Sequence, residues 1–237
     1  MENEHKRLTE VAKNFSIRNG FDGQLNQYVY RRIAQWFNGL SVLELGCADG
    51  GMSIHLPKHF KRITLVDAVP EYIENVKNLL GSKAEYITGL FEEVSIQKTF
   101  DTVLATNILE HVVDPVNLLQ KIAEWLSNDG VIICSVPNAR SIHRQVGVKM
   151  DVLKNIQELS EADHRLGHRR VYTAETLRAD FELAGFKVID IKGVLFKPLS
   201  NQQIESQWSV ELIDAFFSLA DEYPDLSTPL VVLAKRA

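Results

Sequence analysis

Two cysteines in 237 residues, Cys47 and Cys134, are too few for a disulfide framework. Both sit in apolar, strand-like text and read as buried free thiols of a reducing compartment. Positive charge is not in excess either: 26 Lys and Arg against 31 Asp and Glu leave a net charge of −5. That argues against a general nucleic-acid binder, which gathers Lys and Arg on one face. No apolar run reaches the ~18 residues that a transmembrane helix needs. Met1 to Glu10 is polar, carries both charge signs and lacks the apolar stretch of a secretory leader. Internal repeats and low-complexity tracts are missing. The absences leave a cytoplasmic globular chain without a nucleic-acid or membrane partner. The 45% apolar and 24% charged residues suffice for a sizeable core in one domain over 1–237.

Short β-rich runs alternate with helical patterns. Leu40 to Leu45, Arg62 to Val66, Ala84 to Thr88, Phe100 to Thr106 and Val131 to Val136 read as five strands. Between them, Pro70 to Leu80 starts on proline and stops at Gly81. Pro115 to Leu126 has Asp114 as cap and Asn128-Asp129-Gly130 as its end. Strands alternating with helices predict a parallel sheet with helices on both faces, an α/β doubly wound unit. Beyond a polar stretch, 137–172, come a helix from Thr173 to Ala184, a strand from Phe186 to Phe196, a helix from Val210 to Ala220 and a last strand from Leu230 to Ala234. This ending suggests a hairpin-like closure of the sheet edge.

The strongest chemical signal is Val42-Leu43-Glu44-Leu45-Gly46-Cys47-Ala48-Asp49-Gly50-Gly51, a strand running into a glycine turn and then a helix. Glycines let the backbone approach a ligand and take positive φ, and helix N-terminal N–H groups then face that ligand. The dinucleotide pattern Gly-x-Gly-x-x-Gly fails at Ala48, so a pyrophosphate is not the expected occupant. Asp67 follows Gly46 by 21 residues, at the end of the second strand. An acid there can accept hydrogen bonds from both ribose hydroxyls. Together the two predict an adenosine-type cofactor; a tight turn and a helix cap are the bland alternative.

With these residues the chain resembles the class I S-adenosylmethionine-dependent methyltransferases, in the group of ubiquinone/menaquinone-type and sugar-modifying enzymes. The resemblance covers Leu40 to Val136. It rests on Leu43 to Gly50, Leu65-Val66-Asp67, Phe100-Asp101-Thr102-Val103, and Asn107-Ile108-Leu109-Glu110-His111-Val112 with Asp114-Pro115. It implies a Rossmann-like seven-stranded sheet of order 3-2-1-4-5-7-6 with strand 7 antiparallel. It also implies S-adenosyl-L-methionine as cofactor. Glu44, Gly46 and Gly50 would line the methionine moiety, and Cys47 would also contact the cofactor. Asp67 would hold the ribose, and Ala68 would pack on the adenine. Asn107 would border the cofactor after the fourth strand. Leu90 stands where the family often has an acid for the adenine amino group, so backbone near Phe91, or Glu92, would serve instead.

His111, His143 and His164 are candidate general bases, weighed against histidines that only shape loops. The polar stretch 137–172 holds seven basic and four acidic residues and reads as an acceptor-binding segment, or else as a solvated loop. Arg144, His168 and Arg169 there would suit an anionic acceptor. His164 and His168 are four apart, but Gly167 weakens the helix between them, and no metal is expected. Residues 1–38 read as an N-terminal lid, with Phe15 to Phe37 a lid plus helix and Tyr28 able to touch cofactor or acceptor. Phe216-Phe217 reads as core or as the surface of a homodimer. The expected reaction is methyl transfer to a small, anionic or sugar-like metabolite, on oxygen in first place and on an amine nitrogen in second. A non-catalytic S-adenosylmethionine-binding module and a nicotinamide-dependent oxidoreductase are the other classes; Ala48 disfavours the last.

Overall fold

A computed structural model describes residues 2–12, 18 and 20–237. The strands are β1 (Ser41–Leu45), β2 (Arg62–Asp67), β3 (Glu85–Thr88), β4 (Phe100–Thr106), β5 (Leu126–Val136), β6 (Phe186–Leu195) and β7 (Thr228–Arg236). They form one sheet of order β3-β2-β1-β4-β5-β7-β6. All neighbours from β3 to β5 pair in parallel, and β7 runs antiparallel to both β5 and β6. This is the Rossmann-like order and strand direction that the resemblance implies.

The helices are α1 (Glu2–Ala12), α2 (Gly20–Ile33), α3 (Pro70–Leu80), α4 (Pro115–Trp125), α5 (Ile142–Lys149), α6 (Glu161–Arg165), α7 (Ala174–Leu183), α8 (Asn201–Glu205) and α9 (Val210–Leu219). None among the described residues is long and apolar enough to cross a membrane. Successive strand residues feed opposite faces. Val103 and Ile132 join Leu118, Ile122, Leu177 and Phe181 of α4 and α7 on one face. Leu104 and Ile133 join Val29 and Ile33 of α2 and Val76 of α3 on the other. Both faces are therefore covered, and the central strands carry buried apolar residues on each face.

Local chemistry sets the helix ends. The Asp114 carboxylate accepts from the Asn117 N–H at 3.0 Å, with Pro115 in the first turn. Thr173 and Thr176 make a reciprocal cap for α7. β2 and β4 lie on opposite sides of β1, so the strand order reverses there. That opens a crevice at the carboxyl ends of β1 and β4, the usual ligand position of open α/β sheets.

Three local expectations change. The glycine turn leads into a short 3-10 helix, Ser53–Lys58, and not an α-helix. Pro57 lies inside it and lacks the N–H that a longer helix would use. Asn128-Asp129-Gly130 does not end a helix: α4 stops at Trp125 and the chain turns straight into β5. There Phe100 pairs with Leu126 but Thr102 with Val131, so the Asn-Asp-Gly residues bulge out of the strand. The polar stretch contains two helices, α5 and α6. At the N-terminus α2 supplies the expected helix, while residues 13–17 and 19, the start of the Phe15 to Phe37 lid, lie outside the described residues. Phe216 and Phe217 pack internally, on Phe196 and Trp208 and on Tyr28 respectively.

Candidate cofactor and acceptor site

The glycine loop leaves β1 in a left-handed conformation, with Gly46 at φ 74°, Ala48 at 44° and Gly50 at 89°. A Cβ on Gly46 would lie 2.3 Å from Ile108 Cδ1, so no side chain fits. The Phe91 ring closes the same space, its Cζ 3.8 Å from that point. Ala48 is a non-glycine residue at positive φ, which costs about 1–2 kcal/mol. Asp67 offsets this cost: its Oδ2 accepts from the Ala48 N–H at 3.1 Å, and its Oδ1 accepts from the Val69 N–H at 2.9 Å. Burial raises the Asp67 pKa against these bonds. The Cys47 thiol lies 3.9 Å from Asp67 Oδ2, and burial pushes it far above the usual thiol range. Ala68 is buried beside Asp67.

Glu44 points from β1 into the same region and is buried. The Ser53 hydroxyl donates to its Oε2 at 2.6 Å, and burial pushes its pKa up to about 8. Asn107, at φ 54°, is exposed at the end of β4, and its Oδ1 accepts from the Ser135 hydroxyl at 3.0 Å. Thus Glu44, Gly46, Cys47, Gly50, Asp67, Ala68 and Asn107 gather at the carboxyl ends of β1, β2 and β4, with Phe91 leaning over Gly46. Leu90 is buried, and Glu92 is exposed on the turn beyond β3, its carbonyl accepting from Lys121.

The histidines fall in three places. His111 and His168 meet edge to face, centroids 4.8 Å apart. Burial, then His168, draw the His111 pKa down to about 3. The Nδ1 of His143 is buried without a partner, and burial, then Lys197 and Arg144, draw its pKa down to about 2. Neither is poised near neutral pH, where a general base works best. His164 is exposed on α6.

His168 turns away from His164 and bonds Asp163 Oδ1 at 2.9 Å. Glu110 is fully buried, with no partner for either carboxylate oxygen. Ligand atoms of Glu110, His111 and His168 lie within 4.8 Å of one another, a grouping that could hold a metal ion. It replaces the His164/His168 pair weighed from the sequence. Glu110 and His111 are adjacent, but His168 lies more than fifty positions beyond them, and no local spacing marks the three.

Three of the seven basic residues of 137–172 bond to the protein itself. Arg144 is buried; its Nε donates to the Ile156 carbonyl at 3.0 Å, one terminal nitrogen to Asp163 Oδ2 at 2.9 Å and the other to the Glu158 carbonyl. Arg169 donates to the His111 carbonyl at 2.8 Å and to Glu4 of α1 at 3.0 Å. Arg170 donates to the carbonyls of Leu109 and Val112. Tyr28 donates to Asp214 of α9 at 3.0 Å. Tyr28, Arg144, His168 and Arg169 therefore each carry a protein partner, and Arg169 and Arg170 stitch the loop after β4 to the loop after β5.

One group was missed from the sequence. Lys197, just past β6, is only 6% exposed and bonds Asn201 Oδ1, while Asn201 Nδ2 donates to Asp22 Oδ1 at 2.6 Å. The available signal was a single charge inside the apolar run Val194-Leu195-Phe196-Lys197-Pro198-Leu199.

A family model described as a methyltransferase domain matches residues 21–191. A mitochondrial ubiquinone biosynthesis O-methyltransferase from Schizosaccharomyces pombe is 29% identical over 181 residues, covering 70% of this chain and 62% of that protein. The chain thus spans less than two thirds of that relative's length. A solved S-adenosylmethionine-dependent methyltransferase from Mesorhizobium loti aligns over 92% of this chain and 100% of its own, with TM-score 0.65 and 17% identity. The N-methyltransferase NodS of Bradyrhizobium japonicum, solved with S-adenosyl-L-homocysteine, aligns over 99% and 98%, with TM-score 0.61 and 16% identity.

Proposed function

The chain belongs to the methyltransferase-domain family, and from that premise we propose that it transfers the methyl group of S-adenosylmethionine to a small acceptor, an oxygen of an anionic or sugar-like metabolite. The observation that carries this reading is the pairing of a side-chain-free turn at Gly46 with the Asp67 carboxylate at the next strand end. The residues fit the cofactor: Gly46 brings bare backbone to the carboxyl end of β1 beside Ile108 and Phe91, and Asp67 has two acceptor oxygens for two ribose hydroxyls. When bound, the cofactor supplies a methyl carbon activated by a sulfonium leaving group. The chain's own residues would align the acceptor oxygen with that carbon, and the methyl group would pass to it as the acceptor gives up its proton to solvent. The two depressed histidines do not suit proton removal, so alignment carries the rate.

Within the N-terminal segment α1 acts as a lid over the crevice, and 137–172 bounds the acceptor. Supporting this, the Tyr72 hydroxyl donates to the Ala12 carbonyl at 3.2 Å, Arg7 to the Gly167 carbonyl at 3.1 Å, and Arg169 reaches Glu4. The purified protein tests the reading when incubated with methyl-labelled S-adenosylmethionine and a small-molecule cell extract. Label in the small-molecule fraction supports transfer. Cofactor binding with no labelled product of any size favours a binding module.

Glu44 gives the cofactor half a pH signature. Its carboxyl is protonated below about pH 8 in the free protein, and the cationic cofactor favours the carboxylate. Affinity should therefore rise with pH, by at most tenfold per unit as for any one-proton release, and level off above about 8. Calorimetry in buffers of different ionisation heat should show a proton released on binding, and Glu44→Gln should abolish that release.

A further inference from the structure

Resting on the cleft just described, we propose that Lys197 and His143 form a subsite for a carboxylate or phosphate carried by the methyl acceptor, about one nanometre from the atom that is methylated.

β5 and β6 run parallel, so the residues after both emerge at the edge that carries the glycine loop. Lys197 follows β6, His143 opens α5 after β5, Asp22 lies in the first turn of α2 and Asn201 starts α8. Lys197 is buried, yet no carboxylate among the described residues lies within ion-pair distance of it; its hydrogen-bond partner is the neutral Asn201 amide. Asp22 stands behind that amide, and Asp163 is already bonded by Arg144, Ser160 and His168. A buried ammonium without a counter-ion costs several kcal/mol. Burial has already drawn the Lys197 pKa down to about 8, against the opposing pull of Asp22 and Asp163. The Lys197 charge also helps keep the His143 ring unprotonated, and the buried Nδ1 of that ring has no partner. An anionic oxygen would satisfy the ammonium and take an N–H from the neutral imidazole.

Strand spacing sets the reach. β6 lies three strands from β4, about 14 Å at ~4.8 Å per strand, and His143 follows β5, one strand from β4, so a group shared by Lys197 and His143 falls between those limits. The subsite therefore selects acceptors whose acid stands well apart from the nucleophile, and a compact α-hydroxy acid would not bridge the two points.

Calorimetry on protein saturated with S-adenosylhomocysteine tests the proposal, with 3,4-dihydroxycinnamate, its methyl ester and inorganic phosphate as probes. Wild type should bind the acid at least tenfold more tightly than the ester, and phosphate should compete with the acid. Lys197→Met should lose tenfold or more for the acid and nothing for the ester, while Lys197→Arg retains the acid. S-adenosylhomocysteine affinity should stay within twofold throughout, which also reports that the variants fold. Phosphate that competes would assign the subsite to either anion; acid binding without phosphate competition would restrict it to carboxylates. Equal binding of acid and ester by wild type, unchanged acid binding in Lys197→Met, or no binding of either anion while S-adenosylhomocysteine binds would overturn the subsite alone. No S-adenosylhomocysteine binding to wild type would overturn the cofactor reading and the subsite with it.

Discussion

Asp67→Ala should weaken S-adenosylmethionine binding by about 100-fold or more. A hydrogen bond to a charged group contributes about 1.5–3 kcal/mol, and the Asp67 carboxylate would accept two from the ribose. Each 1.4 kcal/mol is a factor of ten. The loss should exceed that of a simple contact, because Asp67 also holds the loop through the Ala48 N–H at 3.1 Å and the Val69 N–H at 2.9 Å. With Asp67 gone, the Ala48 N–H loses the acceptor that helps hold this residue at φ 44°. Asp67→Asn separates the two roles. It keeps one acceptor oxygen for the backbone and should fall between wild type and alanine. Titration calorimetry on the three proteins reads the series. Equal affinity of all three would remove the ribose from Asp67.

Gly46→Ala should cost both stability and cofactor binding. The backbone at φ 74° disfavours any L side chain by about 1–2 kcal/mol. The added Cβ, 2.3 Å from Ile108 Cδ1, then forces Ile108 or the loop to move. A loss of about 2–3 kcal/mol corresponds to a fall in Tm of roughly 4–12 °C for a chain of this size. Cofactor affinity should fall by more than tenfold, since the displaced atoms crowd the crevice. Adding Ile108→Ala removes the clash but not the backbone strain. The double variant should therefore regain part of the affinity lost by Gly46→Ala. Unaltered melting and binding in the single variant would mean that the turn is neither strained nor close to a ligand.

What could be read from the residues was local or periodic. The apolar runs of β1, β2, β4 and β5 and the Pro70, Gly81, Asp114 and Pro115 punctuation marks are short-range signals, and each placed its element to within a residue or so except at the start of β5, which comes at Leu126 and not Val131. The cofactor candidates were readable for the same reason: Gly46 to Gly50 is one turn, and Asp67 sits at the end of the next strand. Where a tertiary contact competes with a local signal, the contact prevailed. Asn128-Asp129-Gly130 looks like a helix stop, yet pairing of Leu126 with Phe100 draws the chain into a strand and pushes those three residues out as a bulge.

The acceptor half depends on partners distant in sequence, and residue type alone does not name them. Arg144 and Arg169 suggest an anionic ligand by their charge. Their donors instead meet Asp163, Glu4 and backbone carbonyls that no spacing rule connects to them. His168 pairs with Asp163 and not with the helical neighbour His164. Lys197 lies outside the basic stretch altogether, and its burial, which is what singles it out, is a property of the folded chain.

A crystal structure of the protein with S-adenosylhomocysteine would test the central claim most directly. The account predicts the nucleoside in the crevice at the carboxyl ends of β1 and β2, with both ribose hydroxyls within hydrogen-bond distance of Asp67 and the amino acid moiety over Gly46. A nucleoside bound elsewhere, or Asp67 still closed on Ala48 with no ligand contact, would contradict it.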